Sequence, residues 1–524
     1  MSENYLENAK ETKEKLNQIS PTMCMAKWLQ VSMHLPQGLT QSCYHPPTHK
    51  VPLEELKVTP RALHNTHEKV RQRKKMWEGE RPSGCQYCWN IEDATDGPHL
   101  SDRHYRSSEW WVRDAWDEVV NGGWDENINP RYVEVNFNQA CNFKCTYCSP
   151  HLSTEWEKEV EQSGPYDLVD GDHNNISSLT KTGLMPIGGK QSENPYVEAF
   201  WKWWPDLYPE LKVFRMTGGE PLMDKNTFKV LNYIRNQQYP NNDLELSITS
   251  NMCPPDQELF NKFLKIISEL ENKSAWNDKS KVDPNLGNWW LSYFKHFSLF
   301  VSVDSVGEQA EYIRTGLEFD RMMSNVRTFL NNTKRTEITF INTFNIMSIP
   351  NLKNFLKMIL ELRKEFGYEN QKDISIMPPE GTDLNKFSPA IMKPKQRIWF
   401  DIPYLRYPDW MSAQNAVFYS GLISMLDECV KFMEENVETD TYYKTYHGFK
   451  KYEIAKLKRD IAWIKSGKAM TDDEINKRRA NFFHYFTELD KRRNTNFVKT
   501  FPELNNWWND CQHQATYRKR HNDR

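Results

Sequence analysis

Short apolar or alternating runs, typical of β-strands, recur along the middle of the chain. Between them, apolar residues repeat every three or four positions, as in helices that bury one face. The pattern predicts strands at residues 132–137, 211–216, 244–248, 298–303, 338–344 and 374–377. It predicts helices at 226–235, 255–270, 319–330 and 352–366, the last ended by Gly367.

The alternation of these strands and helices predicts an α/β fold with a parallel sheet over residues 131–387. Two connections, about 155–205 and 271–295, are longer than ordinary connections between a strand and a helix, and we interpret them as insertions. After about residue 388 the strand patterns stop. Residues 388–524 are predicted to form a helical extension, with helices at 413–436, 451–465 and 472–491. Thr471 and Glu474 are a possible capping box for the last helix.

The first part of the chain has a different texture. Residues 1–20 are predicted to be a mobile or helical leader, and 106–130 a linker. Residues 21–105 are irregular and rich in Pro, His, Gly and Cys, with one helical pattern at 63–77. A segment this small needs a cross-link, such as a bound metal, to stabilise a hydrophobic core. Four of the ten cysteines lie in it.

Composition narrows the possible functions. Hydrophobic residues make up 38% of the chain, enough for sizeable cores, and the net charge of −3 gives no support for a nucleic-acid partner. We find no apolar run long enough to span a membrane and no secretory signal, so we expect a cytoplasmic protein with no membrane partner. In that compartment cysteines serve as metal ligands or free thiols rather than as disulfides.

Three cysteines follow the first predicted strand. Cys141, Cys145 and Cys148 have the spacing C-x3-C-x2-C. Three thiolates on one loop can bind a [4Fe–4S] cluster and leave one iron open for chemistry. The alternatives are incidental thiols or a zinc site, which usually has four ligands; His151 is the nearest candidate for the fourth.

This loop resembles the cluster-binding loop of the radical S-adenosylmethionine (SAM) superfamily, including an aromatic residue, Tyr147, before the last cysteine. In that family the three cysteines bind a [4Fe–4S] cluster whose open iron is chelated by SAM, and the aromatic residue lies near the adenine. The resemblance implies a partial (β/α)6 barrel of the TIM type. Strand-end placement suits such a barrel, because its active sites lie at the carboxyl ends of strands.

Further motifs of the family follow in order. Gly218, Gly219 and Glu220 come after the second predicted strand and resemble the motif that holds the amino group of SAM. A tight turn is the alternative interpretation of these glycines. The resemblance implies SAM contacts after the third and fourth strands at Ser250, Asn251, Ser302, Asp304 and Arg314. A guanidinium such as that of Arg314 suits carboxylate recognition, although ordinary loop or core roles remain the alternative for these five residues.

Cys24, Cys43, Cys85 and Cys88 form a second set. By chemistry alone, four thiolates suit a zinc ion at least as well as a [4Fe–4S] cluster. The spacing C-x13-G-x4-C around Gly38 resembles the start of the SPASM and twitch auxiliary-cluster domains, and Cys85–Cys88 with Glu92 and Arg103 resembles the end of a twitch segment. The resemblance implies one auxiliary [4Fe–4S] cluster. The order differs from that of better-known members, in which this domain follows the barrel.

The resemblance implies a radical SAM enzyme. An electron donor such as flavodoxin or ferredoxin would reduce the cluster, SAM would be cleaved to a 5′-deoxyadenosyl radical, and the radical would take hydrogen from a substrate. We expect a peptide or protein substrate, with a small molecule or carbohydrate as the alternative. The competing hypothesis is a non-catalytic protein, either an iron–sulfur electron carrier or a zinc-stapled binding module.

Overall fold

The structure is a computed structural model. It describes residues 3–94, 99–169, 171–187, 194–272, 293–333, 336–366, 396–438 and 447–522. The predicted strand at 374–377, the helix end at Gly367 and most of the insertion at 271–295 lie outside the described residues.

The described residues contain strands at five of the six predicted places. The strands are β1 Gln30–His34, β2 Leu39–Gln41, β3 His49–Lys50, β4 Tyr132–Asn136, β5 Lys144–Cys145, β6 Val213–Thr217, β7 Glu245–Ser250, β8 His296–Ser302, β9 Arg314–Thr315, β10 Glu337–Ile341 and β11 Ile398–Asp401.

Helices occupy most of the remaining described chain. They are α1 Glu3–Ile19, α2 Ala26–Leu29, α3 Leu53–Val58, α4 His67–Trp77, α5 Gln86–Glu92, α6 Asp102–Ser107, α7 Trp110–Arg113, α8 Trp116–Gly122, α9 Thr154–Ser163, α10 Ile176–Lys181, α11 Pro195–Leu207, α12 Lys225–Arg235, α13 Gln257–Asn272, α14 Gly307–Ile313, α15 Phe319–Asn332, α16 Leu352–Phe366, α17 Ser420–Glu435, α18 Lys451–Ser466, α19 Asp472–Arg493, α20 Phe497–Thr500 and α21 Asn505–Asn522. No helix among the described residues has the length and apolar character needed to cross a membrane.

The chain divides into two compact units. The first contains residues 1–140, 180–249 and 261–297, and the second contains 141–179, 250–260 and 298–524. Each unit combines helices with parallel strands, so the predicted α/β class with a parallel sheet is confirmed.

In the first unit, β7, β6, β4 and β1 are parallel neighbours in that order. β2 and β3 continue the sheet in antiparallel pairing beyond β1. The sequence analysis did not predict β1, in which polar Gln30, Ser32 and His34 alternate with Val31 and Met33; four of the five residues are buried, so the polar positions do not mark an exposed face.

The segment at 21–105 therefore shares its core with later parts of the first unit. Trp28 and Trp89 from that segment are buried in one hydrophobic cluster with Trp111 and Tyr132. Trp111 lies in the predicted linker, and Tyr132 begins β4. Residues 106–130 contain α7 and α8 and contribute Val112 and Val119 to the same cluster.

In the second unit, β8, β10 and β11 are parallel, with Leu299 and Ile398 on either side of Ile338. The expectation that strands stop after about residue 388 is wrong, because β11 occupies Ile398–Asp401. This strand has four residues and only one is buried, so its apolar pattern is too short to recognise.

The predicted C-terminal helices are present. α19 begins at the Thr471–Glu474 capping box, which is confirmed in both directions. The region predicted as one helix at 413–436 is a 3-10 segment, Ala413–Phe418, followed by α17. The buried face of α19 includes Phe482, Tyr485, Phe486 and Leu489, which anchor it in the second unit.

Candidate functional site

The C-x3-C-x2-C loop lies between β4 and α9. Its middle residues form β5, which pairs antiparallel with β9, so that Cys145 lies opposite Arg314. The backbone N–H of Thr146 donates to the carbonyl of Ile313 at 2.8 Å. This two-strand ribbon fixes the centre of the loop.

The residues that begin α9 satisfy the carbonyl groups of the same loop. The Ser153 hydroxyl donates to the carbonyl of Phe143 at 2.7 Å, and the Trp156 indole N–H donates to the carbonyl of Cys145 at 2.8 Å. The Thr154 hydroxyl donates to the carbonyl of Cys141 at 3.1 Å. These hydrogen bonds order the loop, as a preformed binding site requires.

Helix α19, in the C-terminal part of the chain, also contacts this loop. The Tyr485 hydroxyl donates to the carbonyl of Thr146 at 2.5 Å, and Arg493 Nη1 donates to the carbonyl of Lys144 at 2.8 Å. Sequence reasoning missed both residues, which lie more than 300 positions from the loop and belong to no recognised motif.

A buried charged set lies next to Cys145. The side chain of Asp304 is fully buried and pairs with Arg314, with 2.8 Å between Asp304 Oδ2 and Arg314 Nε. Arg314 Nη1 lies 3.7 Å from the sulfur of Cys145, and the Tyr147 hydroxyl donates to Asp304 at 2.8 Å. The backbone N–H of Thr343 donates to Asp304 at 2.7 Å. Four predicted site residues, Cys145, Tyr147, Asp304 and Arg314, are thus brought together.

Burial controls the acid–base state of the loop thiols. Burial raises the pKa of Cys145, although the nearby Arg314 opposes the shift. Burial also raises the pKa of Cys148 to about 12. These thiols are protonated near neutral pH in the metal-free protein, so binding of a metal centre must release protons.

Asn251 reaches the same loop through one neighbour. Its side-chain amide donates to Asn142 Oδ1 at 3.0 Å, and its Oδ1 accepts from the backbone N–H of Cys253. Ser250 has a local role, since its hydroxyl accepts from the backbone N–H of Met252 at 2.9 Å. Ser302 is the last residue of β8, paired with Ile341 of β10.

Gly218, Gly219 and Glu220 lie in the first unit, directly after β6. The backbone N–H of Glu220 donates to the carbonyl of Ala140 at 2.7 Å. A Cβ atom at Gly219 would collide with that same carbonyl. The Glu220 carboxylate is buried and accepts from the backbone N–H of Leu222 at 3.0 Å. The close backbone approach, rather than a turn alone, requires glycine here.

The four N-terminal cysteines line one cavity in the first unit. Cys24, Cys43, Cys85 and Cys88 lie around a small cavity of about 20 Å³. Three cations, Lys27, Arg103 and Arg106, line the same cavity together with one anion, Asp102. Burial raises the pKa of Cys24 and of Cys88 to about 12 in the metal-free state.

The other residues of the N-terminal motif hold this cavity together. Glu92 and Arg103 form a two-point ion pair, with Nη2–Oε2 at 2.7 Å and Nε–Oε1 at 3.0 Å. Arg103 Nη1 also donates to the carbonyl of Met23, the residue before Cys24. Gly38 has a φ of +64°, and a Cβ atom there would collide with the ring of Tyr196.

The side chains as they stand do not form a closed ion-binding shell. Among the described residues, no group of three or more His, Cys, Asp or Glu side chains is arranged to hold a metal ion. His151, the nearest alternative ligand in the loop, has its Nδ1 at 3.0 Å from the Ser149 hydroxyl.

Comparison with known proteins found structural likeness only. No family model matches the chain, and no curated protein matches it. One similar solved structure is native anSMEcpe with bound AdoMet, at 13% identity and a TM-score of 0.29, covering 58% of this chain and 60% of that chain. Two others are Streptococcus suis SuiB bound to the precursor peptide SuiA and bound to S-adenosylmethionine.

The two SuiB structures have 11% identity and TM-scores of 0.25 and 0.27. They cover 72% and 76% of this chain, and 72% and 78% of their own chains. TM-scores this low carry no argument about the activity of this chain.

Proposed function

We propose that this protein is a radical SAM enzyme whose cluster is bound by Cys141, Cys145 and Cys148. The observation that carries the proposal is the ordered cysteine loop with a charged set behind Cys145. Asp304 contacts both Arg314 and Tyr147, at 2.8–3.1 Å, and the resemblance assigns all three residues to the SAM site.

The donor set fits a cluster better than a zinc ion. Structural zinc sites almost always have four ligands, and the three cysteines are the thiols of this loop. A [4Fe–4S] cluster held by three thiolates keeps one iron open for SAM. Arg314, beside Cys145, would partly offset the negative charge of the thiolates.

The protein residues have separate roles in this proposal. Asp304 fixes the guanidinium of Arg314, and the Tyr147 hydroxyl is directed to the same carboxylate. Gly218, Gly219 and Glu220 are proposed to receive the amino group of SAM, because glycine lets a ligand approach the backbone closely. When bound, the cluster and SAM together supply a 5′-deoxyadenosyl radical that removes hydrogen from the substrate.

The fold proposed for this chemistry is the partial (β/α)6 barrel. We assign β4, β6, β7, β8 and β10 to its first five strands, and the sixth predicted strand, at 374–377, lies outside the described residues. Helices α9, α12, α13, α14 and α16 are the first helices after β4, β6, β7, β8 and β10, as βα units require.

SAM cleavage tests the proposed function. Anaerobically reconstituted protein with dithionite and SAM should release 5′-deoxyadenosine, and Cys145→Ala should abolish the release. Cys429→Ala is the matched control, because this buried thiol lies in α17 and belongs to neither cysteine set. If the protein binds about four irons per chain at this site but never cleaves SAM, the enzyme proposal is contradicted and the electron-carrier hypothesis is favoured.

We further propose that Cys24, Cys43, Cys85 and Cys88 bind an auxiliary [4Fe–4S] cluster. By chemistry alone the four thiols suit a zinc ion as well, and the resemblance of their spacing to that of auxiliary-cluster domains is what favours a cluster. Lys27, Arg103 and Arg106 outnumber Asp102 among the lining residues, and this excess of cations suits an anionic centre. The ion pair between Glu92 and Arg103 supports the resemblance that suggested a cluster.

The full chain is the right sample for testing this second site, since β1 and Trp28 share a sheet and core with later residues. Replacement of Cys141, Cys145 and Cys148 by Ala should leave about four irons and four sulfides per chain. Zinc without sulfide in this variant would exclude the auxiliary cluster.

A peptide or protein is the substrate we propose, as the sequence resemblance suggested. SuiB, one of the similar structures, is bound to a precursor peptide. Mass spectrometry of candidate peptides after incubation with the reduced enzyme and SAM tests this. A small molecule or carbohydrate becomes the better candidate if no peptide changes mass while 5′-deoxyadenosine accumulates.

A further inference from the structure

Tyr485 is directed at the cysteine loop by aromatic packing. Its side chain is fully buried, and its ring stacks on Tyr166 with 4.6 Å between ring centres. Trp156 and Trp410 lie against other parts of the ring. The hydroxyl is thereby held on the carbonyl of Thr146, immediately after Cys145.

Arg493 holds the other side of Cys145. Its side chain is 1% exposed, and Nη1 donates both to the carbonyl of Lys144 at 2.8 Å and to Thr315 Oγ1 at 3.0 Å. Lys144 and Thr315 are paired residues of β5 and β9, so one guanidinium connects both strands of the ribbon. Its Nε and Nη2 contact the Glu159 carboxylate at 3.2 and 3.3 Å.

The charges around this contact do not cancel. Glu159 is the carboxylate bound by Arg493, and it also accepts from Lys144 Nζ at 2.7 Å. Two cations therefore share one anion beside the loop. The excess positive charge favours the more negative, reduced state of a metal–thiolate centre.

We propose that helix α19 is a positioning element of the three-cysteine centre. Tyr485 and Arg493 fix the backbone on both sides of Cys145, and the charge of Arg493 raises the reduction potential of the bound cluster. The second part rests on the proposed function, since it requires a cluster. The C-terminal extension then positions and tunes the metal centre through α19, a role that no sequence motif indicated.

Hydrogen exchange of the metal-free protein tests the positioning. Peptides covering residues 141–152 should exchange about tenfold faster in Tyr485→Phe and Arg493→Gln than in the unmodified protein, because each variant removes a buried hydrogen bond. Arg492→Gln is the matched control. Its guanidinium donates to the carbonyls of Ser163, Gly164 and Pro165 and lies 4.1 Å from the centre of the Tyr166 ring, but it does not bond to the loop, so its loss should loosen that segment more than residues 141–152.

The exchange result has two clear outcomes. Unchanged exchange over 141–152 in both test variants, or equal loosening in Arg492→Gln, overturns the positioning. A circular dichroism spectrum and a melting curve identify any variant that fails to fold. Tyr485→Phe keeps the stacked ring and removes only the hydroxyl, so it tests the hydrogen bond even if Arg493→Gln does not fold.

The reduction potential tests the electrostatic part. Arg493→Gln should shift the potential of the reconstituted three-cysteine cluster to a more negative value. Arg493→Lys keeps the charge and should stay near the original potential while still loosening residues 141–152. An unchanged potential in Arg493→Gln overturns the electrostatic part.

The two proposals fail in different ways. A protein that never cleaves SAM contradicts the proposed function, while the metal-free exchange measurement still decides the positioning. Conversely, normal SAM cleavage with unchanged exchange in the variants overturns only the role of α19.

Discussion

A single buried carboxylate organises the residues behind Cys145. Asp304 accepts hydrogen bonds from Arg314, Tyr147 and the backbone N–H of Thr343. The family motif placed Asp304 and Arg314 near SAM, but their mutual pairing was not predictable. Tyr147 and Asp304 are 157 positions apart, and spacing alone does not tell which side chains a fold brings together.

Asp304→Asn should strongly destabilise the metal-free protein. The substitution leaves Arg314 buried without an anion, and breaking a buried ion pair on one side costs about 3–5 kcal/mol. Urea unfolding measures the loss. Asp510→Asn, at a half-exposed ion pair with Arg479, should cost under about 1 kcal/mol; equal losses in the two variants would contradict the assigned role of Asp304.

Glu159 makes stability depend on pH. Burial opposes its charge, but Arg493 and Lys144 lower the net pKa from 4.5 to about 2. A lowered pKa gives stability that is present above pH 4.5 and is lost as the pH falls through about 2. The unfolding free energy of the unmodified protein should exceed that of Glu159→Gln by about 3 kcal/mol near neutral pH, and the difference should vanish towards pH 2.

Glu155→Gln is the control for this pH dependence. Glu155 lies in the same helix and pairs with Lys158, but half of the Lys158 side chain is exposed. It should change stability by less than about 1 kcal/mol at every pH. A pH-independent difference between the unmodified protein and Glu159→Gln would contradict the account.

At the scale of elements, the periodic pattern of apolar residues predicted the longer, regular strands and helices. Strands β4, β6, β7, β8 and β10 and helix α16 lie where the apolar pattern predicted them. β1 and β11 were missed, because β1 is buried on both faces and β11 has four residues. Helix α19 was predicted, but its contacts with the cysteine loop depend on tertiary packing that periodicity does not encode.

Gly38→Ala should disrupt the turn between β1 and β2. Gly38 has positive φ and its Cβ position is filled by the ring of Tyr196, so Ala should destabilise the protein by more than about 1 kcal/mol. Gly421→Ala is the control, because nothing lies within 4 Å of its Cβ position in α17. Chemical denaturation compares the two, and a neutral Gly38→Ala would contradict the tight packing around the motif.

At the scale of the whole molecule, each unit carries one cysteine set. The four-cysteine cavity belongs to the first unit and the three-cysteine loop to the second. The sequence motifs predicted the two cysteine sets, but they did not predict the boundaries of the two units. Residues 180–249 follow the three-cysteine loop in sequence and yet belong to the first unit. Segments far apart in sequence share a core, which a linear pattern cannot show.

Metal loading should stabilise the chain through both sets. A centre that binds only the folded protein raises the melting temperature by mass action. Scanning calorimetry should show a large rise on reconstitution for the unmodified protein and for Cys429→Ala, and a smaller rise for Cys145→Ala. An equal rise in all three would contradict binding at the loop.

The most direct test of the central claim is electron paramagnetic resonance of the reduced, reconstituted protein before and after SAM is added. If SAM binds the iron that the three cysteines leave open, as proposed, SAM should alter one cluster signal, and that same signal should be missing from Cys145→Ala. A signal from this loop that SAM leaves unchanged, or a spectrum that Cys145→Ala does not affect, would contradict the claim.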